Sequence, residues 1–443
     1  MLYAYSAPWG GRASYVGFSS IAKAYPLNPS VPSTHRDGPR ALSLSSAAPS
    51  APAAEAAPSR GGGSPQLLVM VSPVSITSKP NMKFHCFLMV CLAVLVPSRG
   101  SAITNQIFDN REMLLAFVVN RHGERAPDSD ELSLSNEQER LKNLTYIEGP
   151  EGLTNAGKRR GYQIGKFIKQ RYGGQGSKLL SNIYFQDEIA VRSTDKERTK
   201  MTAQMAMAAV YPPILEQQWD EGLGKVWQPV PYTAVPLSED YLRYYSNCQR
   251  FKELMEEAKK TSLYQEFAPF SDLLPKLLKE TGRNFTENPL LFQALFDLFR
   301  SQVALGLDVP EWANPILARL GEASRLAYRL YFKTDEMKKI GGGVILNDFI
   351  SAANDIVAGK RINKRFRMYS AHDFNIGSLM EVTRISRSEQ TVPEYGSLFA
   401  LELYRTKSNG EFSVLVFASE RSGTKLAYVR CRNFDAIVAE SHY

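Results

Sequence analysis

Residues 113–127 read MLLAFVVNRHGERAP. The first seven positions are apolar without alternation, the pattern of a strand buried on both faces of a parallel sheet. The run ends in a polar turn, where His122 stands between Arg121 and Arg125. A histidine flanked by two arginines at the end of a buried strand is a poor core element and a good anion site, because the carboxyl ends of strands line the ligand crevice of open α/β sheets.

Outward from this run, LTNAGKRRGYQIGKFIKQRYG (153–173) carries Ala156, Arg160, Ile164, Phe167 and Ile168 at helical spacing, with Gly173 as a stop. SNIYFQ and EIAVRS are expected as a further strand region, followed by a helix over DKERTKMTAQMAMAAVY that Pro212 and Pro213 end. From Tyr241 to Asp335 every periodic segment is helical, which predicts an all-helical cap inserted into an α/β domain. The α/β pattern then returns with the helix GVILNDFISAANDIVAG, the strand RFRMYSA, a short helix after Asp373, and the strands SLFALELYR and FSVLVFAS. Strand alternating with helix predicts an α/β core. The expected divisions are a core over 103–240 and 336–443 and a cap over 241–335.

The chain begins differently. Residues 1–81 are rich in Ala, Pro, Ser and Gly and read as a disordered low-complexity leader. MKFHCFLMVCLAVLVPSRGSA (82–102) has the charge, apolar stretch and small residues of a signal peptide. A signal so far into a chain is anomalous; either translation starts at Met82 or the leader comes from an unusual transcript, and the alternative is a short signal anchor. The net charge of +8 resides mostly in this region: the remainder holds 53 − 8 = 45 basic and 45 − 2 = 43 acidic residues. A balance near neutrality gives no reason to expect nucleic-acid binding, and no second hydrophobic span follows. Cys248 and Cys431 remain after the signal, an even pair in an exported chain, and are expected to form a disulfide. Asn143 (NLT) and Asn284 (NFT) are candidate glycosylation sites.

The chain has five histidines, and only His122 and His372 fall in the expected folded body, each just after a buried-strand pattern. With Arg121, Arg125 and, at the end of another strand, Arg192, they suggest a cradle in which planar guanidinium groups match phosphate oxygens around a neutral imidazole. A zinc or iron site lacks its ligand set, no G-x-S-x-G elbow is present, and the GGG runs lack a P-loop's Lys and Ser/Thr. Covalent catalysis by histidine remains.

RHGERAP together with SAHDFNIG resembles the histidine acid phosphatases, the branch of the histidine phosphatase superfamily with the prostatic and lysosomal enzymes. The similarity runs from about Ile103 to at least Leu403 and takes in LTNAGKRRGYQIGKFIKQRY, VRSTDKERTKMTAQ and NCQRFKEL in order. The resemblance implies a three-layer α/β/α core with a central mixed sheet (phosphoglycerate mutase-like) plus the helical cap. It implies His122 as a nucleophile that becomes phosphohistidine, Arg121, Arg125, Arg192 and His372 as phosphate ligands, and Asp373 as the acid that protonates the leaving alcohol. A carboxylic acid donates only while protonated, so an acidic optimum is expected. Metal and organic cofactors are not expected. The expected partner is a small-molecule or phosphoprotein phosphate monoester, with homodimerisation left open, and the expected location is extracellular or the lysosomal lumen. The competing readings are a phosphatase specialised for lysophospholipid, nucleotide or phytate, and a non-catalytic phospho-ligand binder.

Overall fold

The computed structural model describes residues 94–95, 110–219, 227–386, 392–421 and 424–432. The leader 1–81 and most of the expected signal segment lie outside the described residues. Within that segment, Val94–Leu95 (β1) forms a short strand.

Arg111–Arg121 (β2) is the long strand that the opening motif predicts. Its side chains divide between two cores: Ala116 and Val118 pack on one face, Leu115, Phe117 and Val119 on the other. That division explains the unbroken apolar run. After β2 come helices Ser129–Leu132 (α1), Gln138–Leu144 (α2) and Asn155–Tyr172 (α3), strand Ile189–Ser193 (β3) and helix Glu197–Val210 (α4). Helices Tyr244–Asn247 (α5), Gln249–Phe267 (α6), Leu274–Thr281 (α7), Leu291–Ala304 (α8) and Leu317–Arg329 (α9) follow. The long helix Asp335–Val357 (α10), strand Phe366–Ala371 (β4), helix Asp373–Val382 (α11), and strands Leu398–Thr406 (β5), Phe412–Arg421 (β6) and Thr424–Arg432 (β7) complete the order.

The seven strands run β1-β7-β6-β5-β2-β4-β3, with β2, β4 and β3 parallel and the other pairs antiparallel, so the sheet is mixed. One face buries Ile164 and Ile168 of α3 with Ala203 and Met207 of α4; the other buries Ile345 and Phe349 of α10 with Ile376 and Leu379 of α11. This is a three-layer α/β/α core. Helices α3 and α4 approach so closely that a Cβ at Gly165 would meet the Ala206 carbonyl at 2.0 Å. In the sheet, Glu402 is fully buried and holds Arg171 through two bonds of 2.6 and 2.7 Å, while Tyr172 and Tyr404 each donate a hydroxyl to it at 2.7 Å.

Three expectations need correction. SNIYFQ is not a strand: Tyr184 instead exchanges two hydrogen bonds with the side chain of Gln217, and regular structure starts at Ile189. The helical region is also wider than residues 241–335. Leu132, Leu134 and Leu141, from the α1–α2 region, share a core with Phe292, Leu295 and Leu298 of α8 and Leu320 of α9. Finally, Cys248 is a free thiol, half-buried beside Tyr244 and Phe251 at the start of α6. The expected partner, Cys431, is on β7 near the far edge of the sheet, and its side chain lies outside the described residues. Asn143 and Asn284 are both exposed.

Candidate active site

The parallel strands bring the site together. The His122 amide donates to the Ala371 carbonyl at 3.1 Å, and the Thr194 amide to the Ser370 carbonyl at 3.2 Å, so the ends of β2, β4 and β3 lie side by side. His122 and His372 are both buried, with ring centroids 5.5 Å apart. Asp373 opens α11, and its carboxylate lies 3.6 Å from the Arg121 guanidinium.

The rest of the motif docks this strand end. A Cβ at Gly123 would meet the Gly157 carbonyl at 2.3 Å, so only glycine permits this contact with the start of α3. Glu124 binds Arg160 at 2.8 Å. Arg125 makes a bidentate pair with buried Glu131, at 2.8 and 2.5 Å. Burial opposes the charge of Arg125, but Glu131 more than offsets it and holds the guanidinium firmly protonated.

His122 Nδ1 lies 2.8 Å from the Gly123 carbonyl, which can only accept. The ring nitrogen there therefore carries the proton, and Nε2 keeps its lone pair. Into that lone pair Arg198 Nε donates at 3.1 Å. Burial first, then the charges of Arg198, Arg121, His372 and Arg125, push the His122 pKa well below the usual imidazole value. The ring is thus a neutral base within a cationic setting. His372 is lowered in the same way, by burial and then by Arg198, Arg243, Arg121 and Lys196. Its Nε2 lies 3.0 Å from the Thr194 hydroxyl.

The arginine at His122 is Arg198, and this corrects the expectation for Arg192. Arg192 NH2 is held 2.6 Å from Asp240, and its guanidinium carbon lies 4.2 Å from the centre of the Tyr241 ring. Alternation along β3 explains this: Arg192 is paired in register with Tyr369, whereas the next residues, Ser193 and Thr194, lead into the crevice. Arg198 sits in the first turn of α4, where the helix N-terminus adds to its attraction for anions.

Sequence reasoning also missed four neighbours. Glu151 Oε2 accepts from Arg198 at 2.9 Å and Lys196 at 2.7 Å. Burial acts to raise its pKa, but those two cations win and hold it below the usual carboxylate range. It does so from a left-handed backbone with φ of 62°, which costs a non-glycine residue about 1–2 kcal/mol. Tyr395 lies under Arg121, 4.4 Å from guanidinium carbon to ring centre, and beside His122. Thr194 and Glu131 complete the surroundings. Among the described residues no group of three or more His, Cys, Asp and Glu side chains is placed to hold a metal.

Arg121 Nε is buried and has no hydrogen-bond partner, although NH1 donates to the Pro393 carbonyl at 2.5 Å. A buried donor without a partner beside a lone-pair nitrogen is arranged for an incoming anion. The group can bind a tetrahedral oxyanion against His122 Nε2, with Asp373 able to exchange a proton beside it.

Comparison with known proteins shows the family. A venom acid phosphatase, Acph-1, of Apis mellifera is 31% identical over 304 residues, covering 68% of this chain and 76% of the relative. The prostatic acid phosphatase of Homo sapiens is 30% identical over 316 residues, covering 69% and 77%. Among solved structures, a Hafnia alvei phytase in complex with tartrate matches with a TM-score of 0.52 at 15% identity, covering 75% of this chain and 98% of that one, a likeness of fold. The profile of the histidine phosphatase superfamily, branch 2, matches residues 112–419 and spans both histidines and Arg198; the chain belongs to that family.

Proposed function

We propose that this phosphatase hydrolyses phosphate monoesters at acid pH through a phosphohistidine on His122. The observation that carries the reading is the Nδ1 contact with the Gly123 carbonyl, which leaves Nε2 as a lone pair among Arg198, Arg121 and Arg125. Substrate phosphate replaces Arg198 as the partner of Nε2 and takes hydrogen bonds from Arg198 and Arg121. Nε2 attacks phosphorus, the ester P–O bond breaks, and the Asp373 carboxyl gives its proton to the departing alcohol. The Asp373 carboxylate then takes a proton from water as that water attacks phosphorus. The N–P bond breaks, phosphate leaves, and Asp373 is protonated again.

The acid optimum follows from two opposite needs. Asp373 must be protonated to donate, so activity rises as pH falls. His122 must stay neutral to attack, and its lowered pKa preserves the free base into the acid range. The relatives named acid phosphatases support this pH range. Export through the secretory route, to the extracellular space or the lysosomal lumen, belongs to the same reading and rests on the MKFHCFLMVCLAVLVPSRGSA segment and the two exposed glycosylation sequons. Among the described residues no helix is long and apolar enough to cross a membrane.

The test is p-nitrophenyl phosphate turnover by the full chain between pH 4 and 8, beside His122→Ala. Turnover that peaks below neutrality and vanishes in the variant is expected. A folded wild type that binds phosphate without turnover would make the site a receptor.

A further inference from the structure

Next to His372 stands a cation that the proposed reaction does not use. Arg243 ends the 3-10 turn Tyr241–Arg243, and two anchors fix that turn. Asp240, fully buried, accepts from the Leu242 amide at 3.0 Å and is held by Arg192 at 2.6 Å. The Leu242 carbonyl accepts from Asn375 Nδ2 at 2.8 Å, and Asn375 Oδ1 in turn accepts from the His372 amide at 3.1 Å. Arg243 is therefore attached to the start of α11, the element that carries Asp373.

The Arg243 guanidinium is under-used. Its Nε is buried with no hydrogen-bond partner, and its NH2 makes one bond of 3.3 Å to the Ser246 hydroxyl. Among the described residues no carboxylate lies within 4.0 Å of it; the nearest in sequence, Asp240, is already taken by Arg192. Arg243 also hydrogen-bonds the Tyr245 side chain, a neutral group, with its guanidinium carbon 5.8 Å from the ring centre. Tyr245 packs on Phe374, the residue after Asp373, at 4.9 Å. A half-buried cation that lacks a counter-ion is costly unless an anion is to arrive. Of the site's other cations, Arg125 is paired with Glu131 and Lys196 and Arg198 with Glu151, while Arg121, with its own free Nε, serves the transferred phosphoryl in the proposed reaction.

We propose that Arg243 binds a second anionic group carried by the leaving alcohol, so that the preferred substrates are phosphate monoesters bearing a nearby carboxylate or second phosphate. The side matters: Arg243 is fixed to the element that presents the proton-donating Asp373, where the alcohol departs, and not to the α4 end that holds the transferred phosphoryl. This rests on the reading of the site as a phosphomonoesterase and adds its substrate class. Arg192 then acts as a positioning residue, through Asp240, for Arg243.

The test uses the full chain and two pairs of substrates at pH 5: glycerol 3-phosphate against 3-phosphoglycerate, which differ by a carboxylate, and fructose 6-phosphate against fructose 1,6-bisphosphate. The wild type is expected to prefer the anionic member of at least one pair by roughly tenfold or more in kcat/KM, the scale of one charge-assisted hydrogen bond. The first pair reports a carboxylate and the second a phosphate. Arg243→Gln is expected to bring the ratio near one, chiefly through KM, and Arg243→Lys to restore part of it. A ratio is insensitive to the fraction of folded enzyme. Ratios near one in the wild type, or unchanged in Arg243→Gln, would overturn the assignment. No turnover of any of the four would instead overturn the phosphomonoesterase reading on which it rests.

Discussion

Replacing Arg198 by Gln separates the two arginines of VRSTDKERT. Arg198 is almost wholly enclosed and aims Nε at His122 Nε2 from 3.1 Å, so a phosphoryl group entering between them takes up this donor directly. A preorganised donor of this kind contributes about 2.7–4 kcal/mol to a transition state, or roughly 10²–10³ in kcat. Arg198→Gln should lose that much against p-nitrophenyl phosphate at pH 5. Arg198→Lys should fall between, since an ammonium keeps the charge but cannot span both the phosphoryl site and Glu151. Arg192→Ala should behave differently. It strips a fully buried Asp240 of its partner, a change that costs about 3–5 kcal/mol of stability. The assay is kcat/KM for all three beside urea-unfolding midpoints. An Arg198→Gln enzyme within threefold of the wild type, together with an Arg192→Ala enzyme that is stable but a hundredfold slower, would refute the assignment of the cradle.

Asp373→Asn should lower kcat/KM for alkyl phosphates far more than for p-nitrophenyl phosphate, whose leaving group needs little protonation; equal losses in kcat/KM, which reports the step where the alcohol leaves, would remove Asp373 from the acid role. Glu402→Ala should destabilise the fold by about 3–5 kcal/mol, because Arg171 is left charged and buried, and urea midpoints measure this directly. Stability should also fall as pH drops below about 6.5, where unfolded imidazoles take up protons that the lowered His122 and His372 refuse. The sign is that of a depressed folded-state pKa: the contribution is present above the unfolded value and is lost as pH falls toward the folded one. His122→Asn should flatten the dependence of Tm on pH between 5 and 7; a slope identical to the wild type would mean that His122 is not held neutral.

Much of this arrangement was legible in the chain because single stretches carry it. MLLAFVV names a strand buried on both faces, and its next residues hold the nucleophile candidate; RFRMYSAHD does the same for β4, His372 and Asp373. Arg192 misled because a strand end is a good prior for a site, yet alternation decides which residue of that end faces the crevice. Arg198 lies in the same VRSTDKERT stretch, on the first turn of the following helix, where the anion-attracting helix terminus favours it. Glu151 and Arg243 gave no local signal. One depends on a left-handed backbone in a loop, the other on a turn tied through Asn375 to a helix 130 residues away in sequence. Residues 129–144 were also silent, because their leucines find their partners on α8 and α9.

The most direct measurement is a rapid acid-free quench of the enzyme with ³²P-labelled substrate at pH 5, followed by peptide mapping. The account predicts an acid-labile, alkali-stable label on the peptide containing His122, formed at least as fast as turnover and absent from His122→Ala. Label that persists in His122→Ala, or turnover with label on another residue, would contradict it.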